Sequence, residues 1–308
     1  MPIRARLALI AACVLWAVSF VATKVALEST PPLVVVALRL LISAACFAPW
    51  LLAPGGTHAV AGRHRFLRLV WLSLLGTGFH YGLQTVGLQY TSASNASLYA
   101  VTAPITILLL SALLLGERIT ARKSLGVALA VAGVLLVMGP ESLASLDLGA
   151  HVKGDLLVLA SIVMWGLFTV FGKPLTDELG ALKVTAWVTV IGALWTLPAG
   201  LYEMRSLGFS LATMKLEAWL AVAFLGIGCS FLATLLYFMA LQRTESQKVG
   251  VYLYTIPPMT AVVAFLYLGE ALTPYLVSGA VLVLIGVALT ERGSVSYTHL
   301  TLPTILLV

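Results

Sequence analysis

Long uninterrupted apolar runs dominate this chain of 308 residues. A helix needs about 20 consecutive apolar residues to cross the hydrocarbon core of a bilayer. Transmembrane strands would instead alternate apolar and polar residues over about ten positions, and these runs are continuous. The sequence therefore predicts an all-α polytopic membrane protein with ten transmembrane helices. The predicted spans are residues 7–27, 33–53, 69–90, 94–115, 124–139, 155–173, 183–202, 217–240, 247–268 and 275–290.

The composition leaves too few polar side chains to hydrate the surface of a soluble protein. Hydrophobic residues make up 60% of the chain and charged residues 10%, whereas soluble domains carry about 25% charged residues. A soluble enzyme, a disordered chain and a small secreted scaffold are therefore excluded. The first run follows Arg4 and Arg6, but it is too long for the apolar part of a signal peptide, so it is predicted to be an uncleaved first helix.

The basic residues indicate how the helices cross the membrane. Cytoplasmic loops of membrane proteins are rich in Lys and Arg. With the N-terminus in the cytoplasm, thirteen of the 18 basic residues fall in segments on the cytoplasmic side. The other five are Lys24, Arg39, Lys153, Arg205 and Lys215. This bias predicts that both termini are cytoplasmic, and it explains the net charge of +6 without a nucleic-acid partner.

The two halves of the chain resemble each other, and we predict one repeat in residues 1–143 and a second in 144–292. Trp16 and Lys24 recur as Trp165 and Lys173; Tyr99, Thr102 and Pro104 recur as Tyr252, Thr255 and Pro257; Gly116-Glu117 recurs as Gly269-Glu270. Each copy contains five predicted spans, and an odd number turns the second copy upside down. Inverted repeats that alternate access to a central site are the architecture of secondary transporters.

The order of these motifs identifies a family. Five plus five helices, the W-x7-K pattern of the first helix and the G-E-x-x-T ending of the fourth resemble the EamA family of the drug/metabolite transporter (DMT) superfamily over residues 7–290. The resemblance implies an exporter in a bacterial inner membrane, and the chain is most similar to the amino-acid exporters of that superfamily, with aromatic or broad-range substrates. Exporters of other metabolites or drugs, and transporters of lipids or nucleotide sugars, remain alternatives.

Side chains that combine an aromatic ring with a polar group gather near the middle of the predicted spans. Rings supply contact area and cation–π surface, and OH and NH groups orient a solute. His80 could bind a carboxylate or carry a coupled proton, or it could be a neutral ring bonded to a neighbouring helix. Ordinary packing is the alternative for the whole set. The candidate substrate-binding residues are Trp16, Phe20, His80, Tyr81, Gln84, Tyr99, Trp165, Tyr237 and Tyr252.

Equivalent Tyr and Pro residues suggest gates at the two mouths. Tyr99 is expected toward the outer mouth and Tyr252 toward the inner one, with Pro104 and Pro257 following where a helix could kink. We predict that these four residues form the gating segments. Four glycines in the third and eighth spans would allow bending or close packing, and static packing is the favoured interpretation. They are Gly76, Gly78, Gly226 and Gly228.

Other charged residues lie near helix ends. Lys24 and Arg39 are expected near the outer ends of their helices, where long basic side chains reach the interface; attraction of an anionic group of the solute is the alternative. The repeated Gly-Glu at residues 116–117 and 269–270 is expected to shape a turn. No acidic residue is expected at mid-membrane, which argues against a carboxylate proton relay and leaves open uniport or coupling through His80.

Several kinds of chemistry have no motif in this sequence. There is no phosphate-binding loop for ATP, no metal-ligand cluster and no catalytic set at membrane depth. We therefore expect no enzyme activity, no cofactor and no metal; the expected partners are a small solute and the lipid bilayer, with the oligomeric state open. Residues 293–308 are too short for another span and resemble vector-derived or read-through sequence, so we expect them to lie outside the fold.

Overall fold

The computed structural model describes residues 1–53, 62–91, 99, 101–144, 152–259, 262 and 274–291, except the side chains of residues 20, 138–144 and 276. All regular secondary structure within these ranges is helical. The predicted all-α fold class is confirmed. Parts of two predicted spans, residues 94–98 with 100 and residues 260–268 apart from 262, lie outside the described ranges, as do residues 292–308.

The described helices coincide with the predicted spans and extend a few residues beyond most of their ends. We number them α1 to α10 in chain order; α3 and α8 are continuous helices of three parts, and α9 changes its type of helix. They are α1 (Ile3–Leu27), α2 (Pro32–Leu52), α3 (Arg63–Ser73, Leu74–Phe79, His80–Tyr90), α4 (Thr102–Leu115), α5 (Ala121–Ala144), α6 (Val152–Leu179), α7 (Ala181–Ser206), α8 (Leu216–Phe224, Leu225–Ala233, Thr234–Leu241), α9 (Ser246–Val251, Tyr252–Thr255) and α10 (Pro274–Glu291).

Five helices in the described part of the chain are long and apolar enough to cross a membrane: α1, α2, α6, α7 and α8. Shorter apolar helices occur at Thr102–Leu115 and Val277–Glu291. Local sequence accounts for where some of them begin and end. Pro32 occupies the first turn of α2, where its missing N–H has no partner to lose. Gly116 ends α4 with φ +67°, a left-handed conformation that glycine adopts without a steric penalty.

Helices α5 and α10 pack so closely that their backbones touch. A Cβ atom added to Gly126 would lie 2.7 Å from the carbonyl oxygen of Gly286, and one added to Gly133 would lie 2.7 Å from that of Gly279. Small residues allow this approach in membrane helices. Residue numbers rise along one helix as they fall along the other, so the two helices run antiparallel.

The remaining helices surround a common core. Helix α2 packs against α7 and α8, α3 against α6, and α1 against α8. Helix α4 contacts both α6 and α9, so it connects the two halves of the chain. The largest core cluster of buried apolar side chains draws on α1, α3, α4, α6 and α8, among other helices, and includes Phe168 and Tyr237. This core positions the aromatic residues that the sequence analysis selected.

Helices α3 and α8 share a local irregularity. Each contains a π-helical stretch, Leu74–Phe79 in α3 and Leu225–Ala233 in α8, and such stretches often occur at functional sites. A Cβ atom on Gly76 would lie 2.5 Å from the Phe168 ring, and one on Gly226 would lie 2.8 Å from Ile42. These two glycines therefore serve close packing, as expected.

Candidate functional site

Five of the predicted residues form one cluster, which we call the aromatic cluster: Trp16, His80, Tyr81, Trp165 and Tyr237. They come from α1, α3, α6 and α8. The ring centroid of Trp165 lies 5.2 Å from that of Trp16, 5.0 Å from that of His80 and 5.4 Å from that of Tyr237. Those of His80 and Tyr81 are 5.1 Å apart. Trp165 is the central member of the cluster, since it touches three of the other four rings.

The imidazole of His80 joins α3 to α6. Its Nδ1 lies 2.9 Å from the carbonyl oxygen of Ser161. A carbonyl can only accept, so Nδ1 carries the proton and donates this bond. In the neutral ring, Nε2 is then a hydrogen-bond acceptor. The His80 ring is thus bonded to a neighbouring helix, which is one of the alternatives predicted for it. This arrangement leaves Nε2 to contact a solute.

The cluster is tightly packed in this conformation. Its residues are buried except Trp16, which is half-buried. The hydroxyls of Tyr237 and Thr169 are 3.2 Å apart, within hydrogen-bonding distance. Below this layer, Trp165 contacts the Phe168 ring at 5.4 Å. A solute at this position would therefore require the helices to separate.

The other two residues predicted near His80 differ in how they are placed. Gln84 lies one turn from His80 in α3 and is half-buried; among the described residues, no hydrogen bond is recorded for its amide. It is therefore adjacent to the cluster and has an amide group that can contact a solute. Phe20 lies within α1, and its side chain falls outside the described residues.

Tyr99 and Tyr252 lie apart from the aromatic cluster. The Tyr252 hydroxyl donates to the Glu291 carboxylate over 3.0 Å, and Arg6 donates to the other oxygen of that carboxylate over 2.5 Å. Tyr99 lies within hydrogen-bonding reach of the Asp155 carboxylate at the start of α6. Both tyrosines are thus beside charged residues at helix ends, which fits a mouth better than a central binding surface.

The two Tyr-x-x-Thr segments share one local hydrogen bond. The Thr102 hydroxyl donates to the Tyr99 carbonyl over 2.7 Å, and the Thr255 hydroxyl donates to the Tyr252 carbonyl over 2.7 Å. Residues Tyr252–Thr255 form a tight 3-10 turn. In the second segment the backbone therefore changes its winding just before Pro257.

The two prolines each lie two residues beyond the threonine of their segment. Pro104 lies in the first turn of the segment Thr102–Leu115, where a missing N–H does not kink a helix. Pro257 lies two residues beyond the 3-10 turn, within the helical residues 256–259, and it is half-buried. The expectation of a mid-helix kink therefore does not apply to Pro104.

Arg39 corrects an expectation from the sequence, because it does not extend to the outer interface. Its side chain is only 3% exposed. The Nε atom donates to the Ser230 hydroxyl over 2.9 Å, and the guanidinium carbon lies 4.0 Å from the centroid of the Tyr81 ring. Arg39 thus adjoins the aromatic cluster from α2. One sequence feature could have indicated this buried position: Arg39 is an arginine that lies seven residues into an apolar helix.

Lys24 has a structural partner at the end of α3. Its ammonium group donates to the carbonyl oxygens of Leu88 over 2.8 Å and of Thr91 over 3.3 Å. These carbonyls lie in the last turn and just beyond it, where a helix leaves acceptors unpaired. The ammonium group of Lys24 therefore ties α1 to the end of α3.

A buried polar network joins α4 and α5 to the start of α9; we call it the α4–α9 junction. The Glu117 carboxylate accepts the backbone N–H groups of Ser246 over 2.8 Å and Gln247 over 3.1 Å. Lys123, 2% exposed, donates to Glu245 over 2.7 Å and to the Gln247 side chain over 2.6 Å. Glu117 was predicted to lie in a turn, and its cap on the start of α9 was not predicted.

A pocket of about 190 Å³ lies between α2, α3 and α7, away from the aromatic cluster. Its lining includes Val36, Gly78, Thr196 and the half-exposed rings of Phe79 and Trp195. Exposed rings on an apolar helix bundle indicate a pocket that opens toward lipid. Within the described ranges, no group of three or more His, Cys, Asp or Glu side chains could hold a metal ion.

Apolar helices of membrane-spanning length, with a buried polar and aromatic layer between them, define a polytopic helical membrane protein. Residues 3–139 and 152–292 each match the model of the EamA-like transporter family. The chain belongs to this family and is a membrane transporter, which confirms the family predicted from the sequence motifs.

Relatives of similar length support the same assignment. An uncharacterized transporter of Archaeoglobus fulgidus is 30% identical over 277 residues, which cover 90% of this chain and 93% of that protein. A protein of Streptantibioticus cattleyicolor described as a probable terminal-alkyne amino-acid exporter is 28% identical over 92% of each chain. A solved crystal structure has a TM-score of 0.75 at 23% identity, covering 93% of this chain and 96% of the other, and shows the fold alone.

Proposed function

We propose that this protein is a secondary transporter that exports amino acids and related small metabolites across the bacterial cytoplasmic membrane by alternating access. The observation that carries the proposal is the aromatic cluster, in which four helices from both halves converge around Trp165, with His80 beside it. Ring faces attract an ammonium group, and the Nε2 of a neutral His80 accepts its hydrogen bonds. A site that is lined mainly by aromatic rings and contains a few polar groups suits a small amphiphilic solute.

Among the relatives, one protein is described as an amino-acid exporter, and it aligns along nearly its whole length. The crowding of aromatic residues in the central helices also resembles the amino-acid exporter YddG. Both likenesses support amino acids as the substrate class. Uniport and coupling to protons through His80 are both compatible with the cluster.

Two inverted five-helix repeats are part of the proposal. Glycines at equivalent positions in α5 and α10 meet across one contact surface, Gly126 with Gly286 and Gly133 with Gly279. A twofold axis that exchanges the repeats exchanges these two contacts as well. Antiparallel packing of equivalent helices supports opposite membrane orientations, and the separate family matches in each half support the duplication. Ten spans and both termini in the cytoplasm complete the topology that we propose.

The gates of this transporter would lie at the two tyrosine segments. With both termini in the cytoplasm, Tyr252, its partner Glu291 and the α4–α9 junction belong to the inner gate. Tyr99, beside Asp155, belongs to the outer gate. Ion pairs and capping bonds at the inner gate must break when the transporter opens to the cytoplasm.

Counterflow in liposomes tests the proposed function. Purified protein is reconstituted into vesicles loaded with one unlabelled amino acid, and uptake of a panel of labelled amino acids is measured. We expect uptake of at least one aromatic or large aliphatic amino acid, and we expect Trp165→Ala to reduce it at least tenfold. Trp195→Ala, at a half-exposed ring outside the cluster, should retain wild-type uptake. Absence of counterflow with every amino acid would refute the substrate class.

A further inference from the structure

Arg39 is a buried cation at the edge of the aromatic cluster. It lies about 10 Å along α2 from the start of the helix, at 1.5 Å per residue, and its side chain is 3% exposed. The groups that contact it are the Ser230 hydroxyl on α8 and the Tyr81 ring on α3. Neither group carries a negative charge.

The guanidinium has more hydrogen-bond donors than the protein uses. Arginine presents five N–H donors, and the hydrogen bond recorded for Arg39 uses Nε alone. Among the described residues, no carboxylate lies within ion-pair distance of it. A buried charge without a counter-charge is costly, so proteins seldom keep one that has no partner. The two terminal nitrogens are available for an anion.

The position of this charge connects it to the proposed binding layer. The centroid of the Tyr81 ring lies 4.0 Å from the guanidinium carbon of Arg39 and 5.1 Å from the centroid of the His80 ring. His80 in turn contacts Trp165 at 5.0 Å. A continuous line of side chains thus runs from a cation on α2 to the aromatic rings of α6.

We propose that Arg39 recognises the carboxylate of the transported solute and selects acids over their neutral or cationic analogues. This inference rests on the proposed function and specifies its substrate class. A planar guanidinium matches a carboxylate with two parallel hydrogen bonds. The ammonium and apolar groups of the same solute would face the Nε2 of His80 and the aromatic rings. Such a solute supplies the counter-charge that Arg39 does not have among the described residues.

The test compares an acid with its amide. Counterflow of an aromatic amino acid and of its carboxamide is measured for wild type, Arg39→Gln and Arg39→Lys. We expect Arg39→Gln to reduce the acid-to-amide uptake ratio at least tenfold, mainly through a higher KM for the acid. Arg39→Lys should retain part of the preference, because an ammonium keeps the charge but loses the two-pronged geometry. Arg68→Gln, an exposed arginine paired with Glu178, serves as the control.

A binding measurement keeps the inference separate from the substrate class. Thermal unfolding is followed with indole-3-acetate and with indole-3-acetamide as probes. We expect the acid to stabilise the wild type more than the amide does, and Arg39→Gln to abolish this difference while unfolding at or above the wild-type temperature. If no amino acid is transported but the acid-specific shift depends on Arg39, the proposed function fails and the inference stands. An unchanged acid-to-amide ratio in folded Arg39→Gln, or equal loss of both solutes, overturns the inference.

Discussion

The hydrogen bonds of the α4–α9 junction allow a quantitative prediction about gating. The Glu117 carboxylate accepts two backbone N–H groups at the first turn of α9, at 2.8 and 3.1 Å. Glu117→Ala removes both bonds and leaves these donors to water. Because the junction closes the inner gate in the proposed orientation, the variant should favour opening toward the cytoplasm. Glu117→Gln retains one acceptor oxygen and should have an intermediate effect.

The size of the effect follows from the contacts. A hydrogen bond to a charged group contributes about 1.5–3 kcal/mol, so the two bonds contribute about 3 kcal/mol at the lower bound. Glu117 is half-buried, and solvent screening reduces this value to about 1.5 kcal/mol. A difference of about 1.4 kcal/mol is a tenfold change in an equilibrium constant. Glu117→Ala should therefore raise the inward-open population about tenfold.

Thiol labelling measures this population. In a background without Cys13, Cys46 and Cys229, Val251→Cys places a reporter at a buried position of α9. An impermeant reagent applied to inverted membrane vesicles should label it about ten times faster when Glu117→Ala is present. Glu178→Ala, which removes a carboxylate from the Arg65 and Arg68 pairs, should leave the rate unchanged.

A second reporter separates gating from unfolding. Val101→Cys lies just after Tyr99, near the proposed outer gate, and position 101 is also buried. Labelling there should not rise in Glu117→Ala. An unchanged rate at Val251→Cys in folded Glu117→Ala would refute the gating role of the junction. A parallel rise at both reporters would show general loosening of the bundle instead.

The remaining predictions concern packing and the imidazole. Gly76→Ala should lower the unfolding temperature in detergent, because its methyl group would lie 2.5 Å from the Phe168 ring and overpacking costs about 1–3 kcal/mol. Gly78→Ala, whose nearest neighbouring atom would be 3.9 Å away, should unfold like wild type; equal unfolding of both variants would contradict the close contact. His80→Ala should slow counterflow several-fold yet keep the shape of the pH profile, because the ring holds the Ser161 carbonyl; loss of the pH dependence would instead indicate a proton carrier.

Apolar run length was sufficient to predict the helices. Most described residues of each predicted span lie in a helix, because a bilayer requires every backbone polar group to be paired within the segment. Depth along a span also selected Trp16, His80, Tyr81, Trp165 and Tyr237 as candidates for one site, and the structure places these side chains in one cluster; their contact with a solute stays a prediction. Trp16 and Trp165 lie at corresponding positions of the two proposed repeats, and the structure places their rings 5.2 Å apart.

Features that depend on the direction of a side chain around its helix were not predictable from depth alone. Arg39 was placed near an interface because it lies close to the start of α2, yet it points into the bundle toward Tyr81. Glu117 was assigned to its own turn, although its partners are 129 and 130 residues away. Contacts of this kind depend on how helices pack and rotate against one another.

Two features together determine how solute binding could change access. They are the contacts at the proposed inner gate and the charge of Arg39, which has no carboxylate partner among the described residues. In this conformation Tyr252 bonds Glu291, Arg6 pairs with the same carboxylate, and Glu117 caps α9. A ligand can shift such an equilibrium only by its difference in affinity for the two states. A solute that binds equally well in both states would not shift this equilibrium, and these bonds would keep the proposed inner gate closed. A carboxylate that pairs with Arg39 more closely in one state would supply the free energy needed to break the inner bonds. In the proposed mechanism, a buried cation with no carboxylate partner among the described residues is therefore a means by which solute binding can drive the change in access.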